Sequence, residues 1–268
     1  MLFPFISMLG LIAVTITFAI PLAATGIYDT ATTAAAESAE VQLTDSQTIT
    51  LLVIGFLYYL VTYTIIIFSN TALIGAALMR LRGENPTIRD GFQIASSRLG
   101  SIVGYAAISA TVGMILQMIR GNRDNIAGQI VGSILGMAWS LITFLVIPIL
   151  VVENIGPIAA VRRSGSLLKR TWGENLVTNF GLGMLQFLAM LVVGIVVGLP
   201  MYALASAFNT GIVTFFAIAV VVIAVVSVAL FFAALMGIFQ AALYNYATEG
   251  EAGTFFEPSL IRSAFSTK

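Results

Sequence analysis

A chain of 268 residues that is 59% hydrophobic and 9% charged carries too little charge to coat a water-soluble surface, where roughly 25% charged residues is ordinary. Twelve basic and twelve acidic side chains balance to zero, which implies no nucleic-acid partner, and the lack of Cys removes disulfides, thiolate chemistry and sulfur-ligated metals. The lack of His excludes an imidazole base and a Ser-His-Asp hydrolase, and leaves only carboxylates, carbonyls and hydroxyls as metal ligands.

The charges that remain sit in islands. No ionisable acid or base lies before Asp29, between Asp45 and Arg80, between Asp124 and Glu153, or between Glu174 and Glu249. A bilayer demands such gaps, and a helix needs about 20 apolar residues to cross one. Six stretches qualify: 2–24, 49–79, 99–119, 126–152, 175–199 and 212–247. They hold strong helix formers without period-2 alternation, so a barrel is excluded. The expected fold is all-α: a single polytopic membrane domain over 1–268, with six transmembrane helices and amphipathic interfacial helices on the cytoplasmic side.

Taken in chain order, the first span ends in Pro21-Leu22-Ala23-Ala24, small residues that suit a signal peptidase. It lacks a basic start and is long for a signal peptide, so an uncleaved helix is expected. The loop 25–48 carries Asp29, Glu37, Glu40 and Asp45 without a basic residue. After the second span, Pro86 opens a segment in which Ile88, Phe92, Ala95 and Leu99 share one helical face.

The fourth span repeats Gly128, Gly132, Gly136 and Ser140 every four residues, and Pro148 should kink it locally. Small residues at that spacing let another backbone approach closely, either as an oligomer seam or within the bundle. Ala229, Ala233, Gly237 and Ala241 form a second stripe in the sixth span. Next come residues 157–172, with Ile158, Val161, Gly165, Leu168 and Trp172 on one face and Arg162, Arg163, Ser166, Lys169 and Arg170 on the other. Arg162, Arg163, Lys169, Arg170 and Trp172 either hold anionic lipid headgroups or an acidic partner, or serve only to orient the chain. No span is broken mid-membrane by Pro or paired Gly. The sixth span, about 36 residues or roughly 54 Å, lacks Pro and polar turns and is expected as one helix rather than two. A third amphipathic segment is expected at 258–265.

Six spans place Arg80, Arg82, Arg89, Arg98, Arg162, Arg163, Lys169, Arg170, Arg262 and Lys268 on one side and only Arg120 and Arg123 on the other. That asymmetry puts the basic side, with both termini, in the cytoplasm of a cell-membrane protein. Within the spans, Tyr63, Asn70, Asn179, Gln186 and Gln240 either line a polar cavity or bond across helices. No acid or base sits near a bilayer midplane, which argues against proton-coupled transport. No cluster of acids has metal-ligand spacing, so neither a metal nor a cofactor is expected.

The stretch Pro148-Ile-Leu-Val-Val-Glu153, then Gly156-Pro157, Ser164 and Leu167-Leu168-Lys169-Arg170-Thr171-Trp172-Gly173-Glu174 resembles an uncharacterised prokaryotic family of integral membrane proteins, common in archaea. It is more distantly similar to the membrane domain of some glycerophosphodiester phosphodiesterases. The resemblance is specific over about residues 140–185. It implies a six-helix membrane fold and supplies no activity. Members usually carry a charged segment before a Leu-Phe-Pro like that at Leu2-Phe3-Pro4, where this chain begins. The expected function is a non-enzymatic accessory or scaffold subunit that associates with membrane lipids, a second copy or a membrane-protein partner. A small-molecule or lipid transporter is the alternative.

Overall fold

The computed structural model describes residues 2–24, 44–120, 126–170 and 172–249 and, within them, all side chains but those of 24, 170, 172–180 and 249. Every regular element among these residues is a helix. Six segments are long and apolar enough to cross a bilayer, and the chain is a multi-pass membrane protein. The elements are α1 (Leu2–Ala24), α2 (Asp45–Leu81), α3 (Ile88–Ser97), α4 (Leu99–Arg120), α5 (Ile126–Ile142), α6 (Val146–Val152), α7 (Pro157–Arg170), α8 (Trp172–Val193), a π turn (Gly194–Gly198), α9 (Leu199–Phe208) and α10 (Gly211–Glu249). The third amphipathic segment, at 258–265, and most of the 25–48 loop lie outside the described residues.

Local chemistry explains the boundaries. Thr44 caps α2 by accepting from the Gln47 N–H, while Gln47 Oε1 accepts from the Thr44 N–H at 3.0 Å. Thr87 and Asp90 form the same reciprocal box at the start of α3, which satisfies donors that a helix start otherwise leaves open. The Thr87 backbone N–H, and then its hydroxyl, hold the Asp90 carboxyl below the usual aspartate range. The fifth span runs on past Leu199 to Phe208. Pro200 has no N–H and its ring crowds the carbonyl four residues back. The helix widens there, with the Leu199 N–H reaching the Gly194 carbonyl five residues away. Asn209, at φ 45°, ends α9, and the sixth span follows as one helix of 39 residues.

Two helices overreach. At 1.5 Å per residue, α2 and α10 are each about 55–60 Å long, against a hydrocarbon core of roughly 30 Å. The core of the protein gathers at one end of both. On α2 the buried residues are confined to Ile67–Leu81. On α10 they gather at Ala234 and at Ala241–Asn245, with Ala217 a lone buried residue near its start. Apolar side chains beyond the lipid must be covered by protein, and there the hydrophobic effect operates as in water. Ala95, Ile102, Tyr105, Leu145, Ile149 and Leu167 complete the cluster, all at the end that carries the basic islands. Elsewhere large side chains such as Ile16, Ile20, Val196, Ile212 and Phe215 are more than half exposed, as lipid-facing residues are.

The two amphipathic helices dock partly through large residues of the apolar faces read from sequence, Phe92 and Leu168, and partly through small residues beside them. In α3, Gly91 and Ala95 are buried while Ile88, and Leu99 at the start of α4, stand about half exposed. In α7, Ala160, Ser164, Leu167 and Leu168 are buried and Ile158 is 62% exposed. Each helix is thus rotated from the face expected by hydrophobicity. Gly91 shows why: a Cβ there would stand 2.8 Å from the Ala72 carbonyl oxygen and 2.6 Å from Phe3 Cζ. Close backbone approach requires the smallest residue. Phe3 in turn packs edge-on against Phe92, with ring centroids 5.3 Å apart, and ties α1 to α3.

Gly91→Ala is expected to push α3 off α2 and cost about 1–3 kcal/mol by overpacking, read as a lower unfolding midpoint in detergent. The lowered Asp90 pKa places its capping contribution in full above the ordinary aspartate value. That contribution is lost only as pH falls through the lowered value, and a carbon-13 titration of the Asp90 carboxyl should show a midpoint below that of a free aspartate.

Candidate functional site

The fourth span breaks where Pro148 cannot donate to Phe144. Residues 143–145 form a turn between α5 and α6, in which the Phe144 N–H reaches back to Leu141 and the Val146 N–H to Thr143. Pro148 thus does more than the expected local kink: it ends one helix and starts another. The Leu141 carbonyl is already taken, so the Leu145 N–H donates instead to Ser164 Oγ of α7 at 3.1 Å. Both residues are fully buried. The short α6 that follows holds Val146, Pro148, Ile149 and Leu150 in the centre of the core, packed on α2, α7 and α10.

The turn after α6 gathers the polar groups of the basic end. Glu153 accepts from Arg163 Nε at 3.0 and 3.3 Å and from the Tyr244 hydroxyl at 3.2 Å, joining α6, α7 and α10. Asn154, at φ 50°, accepts from Arg98 Nη1, while Arg98 Nη2 donates to the Val151 carbonyl at 3.2 Å. Arg163 is therefore a bundle contact. Asn245 is 3% exposed and its Oδ1 has no partner among the described residues.

Ser164 fixes the rotation of α7. With Ala160, Ser164 and Leu167 turned to the core, the stripe Val161, Gly165, Leu168 faces sideways across to Ala138, Leu141 and Ile142 of α5. Between them lies an open cavity of about 550 Å³. Arg162, Ser166 and Lys169 rim it at positions i, i+4 and i+7. Both Arg162 and Lys169 are exposed, and neither forms an ion pair among the described residues. The side chains of Arg170 and Trp172 lie outside the described set. Of the basic cluster read from sequence, the structure brings Arg162 and Lys169 together at this groove and assigns Arg163 to Glu153.

The small-residue stripe of α5 meets an arginine. Arg120 Nη2, from the end of α4, donates to the Gly132 carbonyl at 2.8 Å. A Cβ on Gly132 would stand 2.6 Å from Arg120 Cγ, and one on Gly136 2.5 Å from Arg120 Nη2. Gly132 is buried, Gly128 is half-buried nearer the start of α5, and Ser140 is exposed with its hydroxyl donated to the Gly136 carbonyl. On α10, Gly237 seats Leu73 of α2.

Tyr63, Asn70, Gln186 and Gln240 line none of the three cavities at α5–α7, α2–α3 and α9–α10. Tyr63 stacks on Tyr59 with centroids 6.0 Å apart. Asn70 on α2 and Gln240 on α10 are half-buried on helices that pack together, and Gln186 is half-buried on α8, which leans on α10. The Asn179 side chain lies outside the described set. Cavities of about 550, 270 and 370 Å³ are all lined by other residues.

The residue that sequence reasoning missed as a structural key is Ser164. Its signal was Pro148 itself: a proline inside a span frees backbone donors and acceptors that a nearby hydroxyl must satisfy.

The chain belongs to a family of unknown function, DUF6159, which matches residues 48–255. No curated protein and no solved structure matches it.

Ser164→Ala removes the acceptor of a buried N–H and is expected to cost about 1–3 kcal/mol. The check is thermal unfolding in detergent beside Ser166→Ala, whose exposed hydroxyl donates only to its own helix and whose loss should be near neutral.

Proposed function

We propose that this family member is a non-enzymatic accessory subunit of the cell membrane, oriented with both termini and its basic end in the cytoplasm, that associates with anionic lipid and membrane partners. The observation that carries this reading is the division of labour at the basic end. Glu153, Arg163, Tyr244, Arg98 and Asn154 are committed to holding helices together. Arg162 and Lys169 remain exposed along α7, at the level where an anionic leaflet attracts each such charge by about 1 kcal/mol. The ten-to-two distribution of basic residues supports the orientation. The fifth span supports the partner role: none of its most apolar window is buried, and α8 and α9 pack chiefly on α10.

The experiment is purification in mild detergent followed by native mass spectrometry, with solute flux measured in proteoliposomes. Retention of anionic phospholipid above its share of the membrane, without flux, is expected. Flux of a small solute, or a retained lipid mixture identical to the bulk, would overturn the reading. The absence of native Cys makes topology directly testable: Ser166→Cys should react with an impermeant maleimide only from the cytoplasmic side, and Thr32→Cys only from the other.

A further inference from the structure

The geometry points to the groove between α5 and α7 as a site for a single anionic phospholipid, with one acyl chain against the apolar walls and the phosphate held by Arg162 and Lys169. This rests on the lipid-associating reading above and narrows it from a charged surface to one seat.

Three observations converge. The groove walls are apolar: Ala138, Leu141 and Ile142 face Val161, Gly165 and Leu168. Its volume of about 550 Å³ falls inside the roughly 300–1,000 Å³ range of small-molecule sites. Its rim is cationic. Arg162 and Lys169 lie seven residues apart on α7, two turns or roughly 10 Å along the axis, and neither is paired among the described residues. A neutral apolar occupant would leave that charge unused. An acidic peptide would leave the apolar floor without a partner. A phospholipid with a net negative headgroup meets both requirements in one molecule.

The groove is also held open by the fold. The Leu145–Ser164 hydrogen bond prevents α7 from rolling its second apolar stripe into the core. Gly165 leaves the floor open, since even a Cβ there would meet only Ile142 Cγ2, at 3.7 Å. An acyl chain takes the place that a larger side chain would fill and gains van der Waals contact with both walls. Arg162 offers a planar, multidentate donor set and Lys169 a flexible ammonium, both suited to phosphate oxygens.

The test uses the full chain in nanodiscs or mild detergent, with dioleoyl phosphatidylglycerol and dioleoyl phosphatidylcholine as probes and dihexanoyl phosphatidylglycerol as a short-chain control. Arg162→Gln with Lys169→Gln should weaken phosphatidylglycerol retention roughly tenfold or more, from two charges at about 1 kcal/mol each, and leave phosphatidylcholine unchanged. Gly165→Phe, and independently Ala138→Trp from the opposite wall, should abolish the advantage of long over short chains while the charges stay in place. The second variant, with its unfolding midpoint, guards against a misfolded first one. If properly folded Gly165→Phe and Ala138→Trp retain long-chain phosphatidylglycerol as the parent does, the groove site falls and the surface reading survives. If the parent shows no preference for phosphatidylglycerol over phosphatidylcholine, both fall.

Discussion

One backbone N–H organises the basic end of this protein. Pro148 has no N–H and its ring excludes the carbonyl four residues back, so the fourth span cannot run on as a helix. In a low-dielectric interior an orphaned backbone donor is costly, and the Leu145 N–H freed by the break is satisfied only by Ser164. That bond fixes the distance between α6 and α7 and the rotation of α7 about its axis. The consequences spread outward. The short α6 becomes the centre of the core, the turn after it presents Glu153 to Arg163 and Tyr244, and the unused apolar stripe of α7 is left facing α5.

Packing is polarised for a second reason. Lipid tails are as apolar as leucine, so burial gives little drive to association within the hydrocarbon layer. Helices that extend past it face water instead, and their apolar ends then gain by covering one another. Where α2 and α10 exceed the hydrocarbon thickness they supply such ends; α6 lies between them, with α3 packed on α2 and α7 on α6. The polar residues at this boundary act as clamps. The Arg163–Glu153 pair, partly exposed on both sides, contributes through geometry and its link to Tyr244 more than through Coulomb energy.

The spans, their number and the two amphipathic helices at 88–97 and 157–170 were legible because bilayer thickness and helix rise leave few ways to arrange charge-free stretches of 20 or more residues. The single long α10 was legible from its lack of breakers. The rotation of α3 and α7 was not. Their large residues, Ile88 and Ile158, mark one face, yet the buried faces centre on Gly91 with Ala95 and on Ala160 with Ser164. A periodicity of size reports where oil is covered, by protein or by lipid, and an interfacial helix has both available. The role of Gly132 and Gly136 was equally hidden: the stripe showed that something must approach closely, and only the structure shows that it is the Arg120 side chain. For the basic cluster, sequence supplied the cations and the fold separated the clamp, Arg163, from the pair at the groove.

The uneven burial along the bundle has a mechanical meaning. Membranes differ in thickness by several ångströms, and a helix meets the mismatch by tilting. In a bundle packed along its whole length, any tilt disturbs the core. Here the core lies at one end, and the far half is tied by surface contacts such as Thr15 and Phe18 of α1 on Tyr58 of α2, so a tilt there leaves α6 and its neighbours in register. A bundle so built would meet a change of thickness away from its core and keep the Glu153 clamp intact.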